Sequence, residues 1–334
     1  MELKTTRIGK RSLGLSLIEL MIALVIGSVI MLGAATLFLQ SKISFLQDEE
    51  LARLQETGRF AVRYVSRELT MSGFFGGLLS GSEIDRTSIP DPNDLSTCYS
   101  WIMNTANGVE HINDVDVDGQ ETGAGAVNIP TDCLAAGEVE AGTDILVVRR
   151  TLDTATVDQF LSSNPSATTG VHYLRVKNYN VEKTLERTLS GTQPSDVDLW
   201  QYSPQILYVQ NAATATDGIP SLCRRQVSQT TAVMEPAECL LQGVEDLQVE
   251  FGLDDDGDFV AEQYMDFPTE AQVNDSLSAR FYILIRSPYE MPGYINDKTY
   301  TLGPKAGPNN PGDRYYRRVM QSTVTLRNSE ALGI

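Results

Sequence analysis

The chain has 334 residues, with 44 acidic against 26 basic side chains and only two histidines, for a formal net charge of −18. So acidic a body is a poor nucleic-acid binder, since phosphate contacts need a surplus of Lys and Arg. No G-x-S-x-G, H-E-x-x-H or phosphate-loop pattern is present, and His172, set in an alternating apolar segment, reads as packed rather than as a base, so no enzyme activity is predicted.

The chain opens on a short basic leader, with Lys4, Arg7, Lys10 and Arg11 against Glu2, that ends at Gly14. An apolar run follows from Leu15 to Leu39, and its one charge is Glu19. At 1.5 Å per residue its roughly 25 residues span about 37 Å as a helix, enough to cross a bilayer. A carboxylate there costs on the order of 2.5 to 3.5 kcal/mol, so it is a functional residue that needs a partner. A secretory signal has a shorter core, of about 7 to 15 residues, and a small-residue cleavage site after it. A plain single-pass anchor fits the length and the basic cytoplasmic flank but has no use for Glu19 or for Gly14 at this offset.

The stretch Gly14-Leu15-Ser16-Leu17-Ile18-Glu19 resembles the class III signal of type IV prepilins. The resemblance implies that a prepilin peptidase cuts after Gly14 and methylates the new N-terminus at Leu15, where the family usually has Phe. It also implies that Glu19 pairs with the N-terminal amine of a neighbouring subunit during assembly, each charge offsetting the other's desolvation.

The helical pattern continues past the apolar run. Between Ser41 and Ser72 there is no proline, and Leu46, Leu51, Leu54, Ala61, Val62, Val65 and Leu69 recur at three- and four-residue steps until Gly73 stops the pattern. A helix from Leu15 to Ser72 would be about 87 Å long. A coiled-coil stalk is the alternative for its second half, but the apolar positions are not strictly heptad. Residues 78–143 are rich in Gly, Ser, Asn, Asp and Pro and read as an irregular elaboration. Strands are predicted at 144–150, 171–176, 205–210, 244–253, 279–286 and 315–327. One long helix followed by strands predicts an α+β fold with a largely antiparallel sheet.

Cys98, Cys133, Cys223 and Cys239 all lie beyond the apolar run and form no C-x-x-C pair, so they read as two disulfides rather than as a zinc site. Three connectivities are open, and proximity favours Cys98 with Cys133 and Cys223 with Cys239.

Two acidic loops suggest calcium; no other cofactor is implied. Asp114, Asp116, Asp118 and Gly119 match the opening of an EF-hand loop, but Gly125 stands at the twelfth position where a bidentate Glu is needed. Asp254, Asp256 and Asp258 also alternate, with Phe259 at the sixth position and Met265 at the twelfth. Polar turns are the alternative at both.

The segments 243–258, 283–287 and 316–328 narrow the resemblance to PilW-type minor pilins of type IV pili. It implies a type IV pilin-like fold: a leader at 1–14, a membrane-spanning half-helix at 15–39, a periplasmic half-helix at 40–73 and a globular head at 74–334. It further implies an inner-membrane protein, its head in the periplasm, that passes into an extracellular pilus. There it would touch other minor pilins and the major pilin through the N-terminal helix, with a tip adhesin as a further partner. A J-type minor pseudopilin of type II secretion is the alternative within the superfamily, and a single-pass periplasmic enzyme or receptor the alternative outside it. Residues 78–241 carry no resemblance.

Overall fold

The computed structural model describes residues 16–78, 80–89, 96–122, 129–156, 170–177, 182–187, 189, 196–228, 233–309 and 311–329. In chain order the helix α1 (Leu17–Met71) is followed by α2 (Cys98–Ile102), β1 (Val109–Ile112), β2 (Ile145–Val148), β3 (Tyr173–Lys177), β4 (Glu182–Glu186), β5 (Val197–Gln201) and β6 (Gln205–Gln210). Then come β7 (Ser221–Gln226), β8 (Glu238–Gln242), β9 (Val244–Leu253), β10 (Gln263–Met265), α3 (Glu270–Asn274), β11 (Ser278–Arg286), β12 (Thr299–Leu302), β13 (Lys305–Asn309) and β14 (Arg317–Thr325). The chain divides into two compact units that meet between Glu50 and Leu51.

In the first unit the described residues are helical from Leu17 onward, and its large apolar side chains lie open, Leu17 at 78% and Phe38 at 69% exposure. An 18-residue window of this helix has a mean hydropathy of 2.5, and by length and composition it is apolar enough to cross a membrane. Its hydroxyls bond back into the helix, Ser28 Oγ to Val25 O and Thr36 Oγ1 to Gly33 O, both at 2.8 Å, so they add little polarity.

The second unit is α+β with antiparallel sheets, as the sequence predicts, but the strands divide among several sheets. The described residues form a five-stranded sheet in the order β1-β2-β6-β7-β8, a four-stranded sheet β10-β9-β11-β14, a three-stranded sheet β4-β3-β5 and the β12–β13 hairpin. The five-stranded sheet is covered on both faces. Ile145 and Val147 of β2 turn into one core with α2, while Leu146 turns into the other with α1 and β9. A strand buried on both sides reads as an unbroken apolar run, which is why Ile145-Leu146-Val147-Val148 does not alternate.

The last five turns of α1 share the second core. Leu54, Gly58, Ala61, Val65, Glu68 and Leu69 are its buried residues, a stripe at three- and four-residue steps. Leu51, predicted on that stripe, is instead 40% exposed, since the buried face has rotated past it. A Cβ built on Gly58 would come within 2.9 Å of Ile285 Cδ1 and Met320 Cγ, so the helix rests directly on β11 and β14 there. Gly73 ends the helix at φ 72°, its N–H donating to Arg149 O at 3.0 Å. Two parts of the region predicted as irregular are regular after all: α2, capped by Thr97, and β1, paired with β2.

Candidate functional site

The N-terminal segment brings its one carboxylate to the start of α1. Glu19 lies in the first turn, exposed, with no ion-pair or hydrogen-bond partner among the described residues, and the next charge along the helix is Lys42. Negative charge at a helix N-terminus is favoured by the dipole, by about 0.3 to 1 kcal/mol in water. That is less than the cost of placing a carboxylate in a bilayer. Gly14 and Leu15, the predicted processing residues, lie outside the described residues.

The helix is tied to the head by a buried ion pair. Glu68, 3% exposed, accepts from Arg150 Nε at 2.8 Å and Nη2 at 3.1 Å, and Arg150 is 7% exposed. The Gln205 amide also donates to Glu68, and Tyr64 Oη donates to Gln205 Oε1 at 3.1 Å. The four side chains come from α1, the segment just past β2 and the start of β6, so the pair sets where the helix rests on the five-stranded sheet. Nothing in the sequence pattern singled out Glu68.

Both disulfides have the favoured connectivity, Cys98 with Cys133 and Cys223 with Cys239. The first pins α2 to the loop before β2; the second crosses the β7–β8 pair.

The two acidic loops differ. In the first, the carboxylates do not converge: Asp114 lies 3.5 Å from Lys305 Nζ, Asp116 Oδ1 accepts from the N–H groups of Asp118 and Gln120 at 2.9 Å, and Asp118 Oδ1 accepts from Gly137 N–H at 2.8 Å. They serve as turn caps, and Gly125 lies outside the described residues. In the second, Asp254, Asp256 and Asp258 gather with Glu262, a residue the sequence pattern missed, and one oxygen of each lies within 4.8 Å of the others. Glu262 arrives from across the β9–β10 turn. Phe259 stands where an EF-hand has glycine and takes the left-handed conformation itself, at φ 65°. Asp254 accepts from the N–H groups of Gly257 at 2.6 Å and Phe259 at 2.8 Å. Slight desolvation pushes its carboxyl up, but these donors outweigh it and hold the group below the usual range. All-oxygen donors at this spacing suit a hard cation such as calcium.

Neither histidine faces solvent. His111 Nε2 is 2.9 Å from Asp144 Oδ2 in the core. His172, which sits just ahead of β3 rather than inside it, is 1% exposed and 2.9 Å from Tyr99 Oη. Burial, with the charge of Arg187 adding to it, pushes its imidazole down to about 4.

A family model described as type IV pilus-assembly protein W matches residues 206–328, and one described as the prokaryotic N-terminal methylation motif matches residues 9–35. Over these segments the chain is similar to type IV pilus-assembly proteins. The first match runs from β6 to just past β14; the second covers the leader, Gly14, Glu19 and the start of α1. A solved structure, the type IV-like pilin TTHA1219 from Thermus thermophilus, aligns over 83% of this chain and 98% of its own at 10% identity, with a TM-score of 0.35. No curated protein matches.

Proposed function

We propose that this chain is a minor pilin, processed after Gly14, that primes assembly of a type IV pilus and sits in its tip complex. The observation that carries the proposal is the lone carboxylate of Glu19 in the first turn of an open apolar helix, inside the segment that matches the methylation motif. A membrane anchor alone needs no such group, whereas assembly supplies one: the amine of an adjacent subunit, about one helical turn away from where Glu19 lies. The leader stays in the cytoplasm by its positive charge, the helix spans the inner membrane once, and the head lies in the periplasm, where disulfides form.

Bulk supports an end position. The head segment predicted at 74–334 is most of the chain, and a body of that size fits a tightly packed shaft poorly. The matches to pilus-assembly and N-terminal methylation models support a structural role. Other minor pilins and the major pilin are its partners through the helix, and a tip adhesin through the head. Calcium, where it binds, belongs to the Asp254 hairpin.

Intact mass tests the proposal. The mature protein should begin at Leu15 and carry one methyl group, and it should revert to the full chain when the prepilin peptidase is deleted. A mature start beyond about residue 30, as a secretory signal would give, contradicts it.

A further inference from the structure

Among the described residues the outer edge of the four-stranded sheet is unpaired. Strand β14 pairs with β11 without a register shift, from Ser278↔Thr325 to Arg286↔Arg317. The bonds from Ser287 N–H to Tyr316 O and from Leu326 N–H to Leu277 O bracket this ladder and fix its phase. Antiparallel ladders alternate between pairs that exchange hydrogen bonds and pairs that do not. The even-numbered residues from Tyr316 to Leu326 therefore bond to β11. Val319, Gln321, Thr323 and Thr325 turn their N–H and C=O groups outward, where no described residue meets them.

Several other edges are closed or guarded among the described residues. On the free side of β9, Asp144 donates its N–H to Leu247 O and takes the Val249 N–H on its carboxylate at 2.7 Å. Strand β5 is met by the N–H groups of Leu152 and Thr156, and β4 by Asp85. Strand β8 is short, with a shifted register and Glu238 on it. By contrast β14 runs for 9 residues with no proline or bulge, and from Val319 to Thr325 it has no charge. Natural edges that stay unpaired are usually shortened, bulged or charged, so a long plain one is a template for another strand.

Charge and patterning indicate what would pair there. In a chain of net charge −18, Arg314, Arg318 and Arg327 are exposed around this strand with no ion-pair partner among the described residues. Arg317, by contrast, is held by Glu245 and Asp313. On the face toward α1, Tyr316, Met320 and Val324 form a half-buried apolar row that stops at the rim of the sheet. We propose that β14 is a docking edge that takes an extended acidic strand of a partner protein, apolar on one face, by β-strand addition. The partner's backbone meets the outward groups of Val319 to Thr325, its apolar side chains continue the Met320–Val324 row, and its carboxylates meet the arginines. A second copy of this chain fits less well, because it brings the same arginines to the contact.

The inference does not depend on the pilus reading, and a peptide tests it. The full chain in detergent micelles is titrated with a labelled peptide that alternates Glu or Thr with Val, and with its lysine counterpart. The acidic peptide should bind at least about tenfold more tightly than the basic one. It should also slow amide exchange at Val319, Gln321, Thr323 and Thr325. Gln321→Pro removes an outward N–H without touching the ladder to β11 and should weaken binding about tenfold or more. Because a proline can also unfold a strand, Arg314→Glu with Arg318→Glu serves as the second variant; it keeps the backbone and should reverse the preference between the two peptides. Failure of the acidic peptide to bind, equal binding of both peptides, or protection at another strand overturns the proposal. So does a dimer in sedimentation that Gln321→Pro dissolves, since the occupant would then be a second copy.

Discussion

Replacing Glu68 by Met tests whether the buried ion pair holds α1 against the head. Glu68 and Arg150 are 3% and 7% exposed and share two hydrogen bonds, at 2.8 and 3.1 Å, with the Gln205 amide as a third donor to the carboxylate. Removing the carboxylate leaves a guanidinium buried, with the Thr151 carbonyl at 3.1 Å its one remaining acceptor among the described residues. Breaking one side of such a pair costs about 3 to 5 kcal/mol. In a domain of this size each kcal/mol moves the melting temperature by about 2 to 4 °C, so a fall on the order of 10 °C is expected. Replacing Arg150 by Met as well removes the stranded charge, and the double variant should recover most of the loss, because apolar side chains of similar volume replace such pairs at little cost. Thermal and urea unfolding of the full chain in detergent, followed by circular dichroism, gives all the corners of the cycle. A Glu68→Met cost below about 1 kcal/mol, or a double variant no more stable than the worse single one, would refute the reasoning.

Asp246 on β9 should make stability depend on pH. Burial, opposed by Lys305 Nζ at 3.1 Å, pushes its carboxyl up to about 6, so the folded protein holds this proton more tightly than the unfolded chain does. The stabilisation is fully present below about pH 4 and is lost as pH rises through about 6, so wild type should lose on the order of 3 kcal/mol relative to Asp246→Asn across that window. A pH-independent difference contradicts this. Calorimetric titration with calcium should give heat that Asp256→Ala abolishes and Asp116→Ala leaves unchanged, since only the Asp254 hairpin gathers its carboxylates. No heat at millimolar calcium retires the metal reading.

The features legible in the sequence were those with a strong local period or a covalent pair. The helix shows as an apolar run that passes into a stripe ending at Gly73, and the structure ends α1 at Met71. Strand β9 was predicted at its observed bounds because its apolar residues alternate with Asp246, Gln248 and Glu250. Strand β4 was missed for the opposite reason: Glu-Lys-Thr-Leu-Glu has one fully buried side chain, Leu185, and its place comes from pairing with β3 rather than from its own pattern. The division into several sheets was also hidden, because alternation separates the two faces of a strand but does not say what covers each. Leu146 and Val147 are equally apolar and enter different cores. At the candidate sites the same limit holds. Glu262 joins Asp254 only through the β9–β10 turn, and Glu68 finds Arg150 across 82 residues.

The most direct test of the account is the incorporation of Glu19 variants into pili. Glu19→Ala and Glu19→Gln should insert in the inner membrane and be cleaved after Gly14 as wild type is, since neither change makes the helix less apolar. Both should then accumulate as processed monomer, with reduced recovery in sheared pili and weaker cross-linking to neighbouring pilins through the helix. If both variants enter filaments and support piliation at wild-type levels, the carboxylate has no assembly partner and the central claim fails.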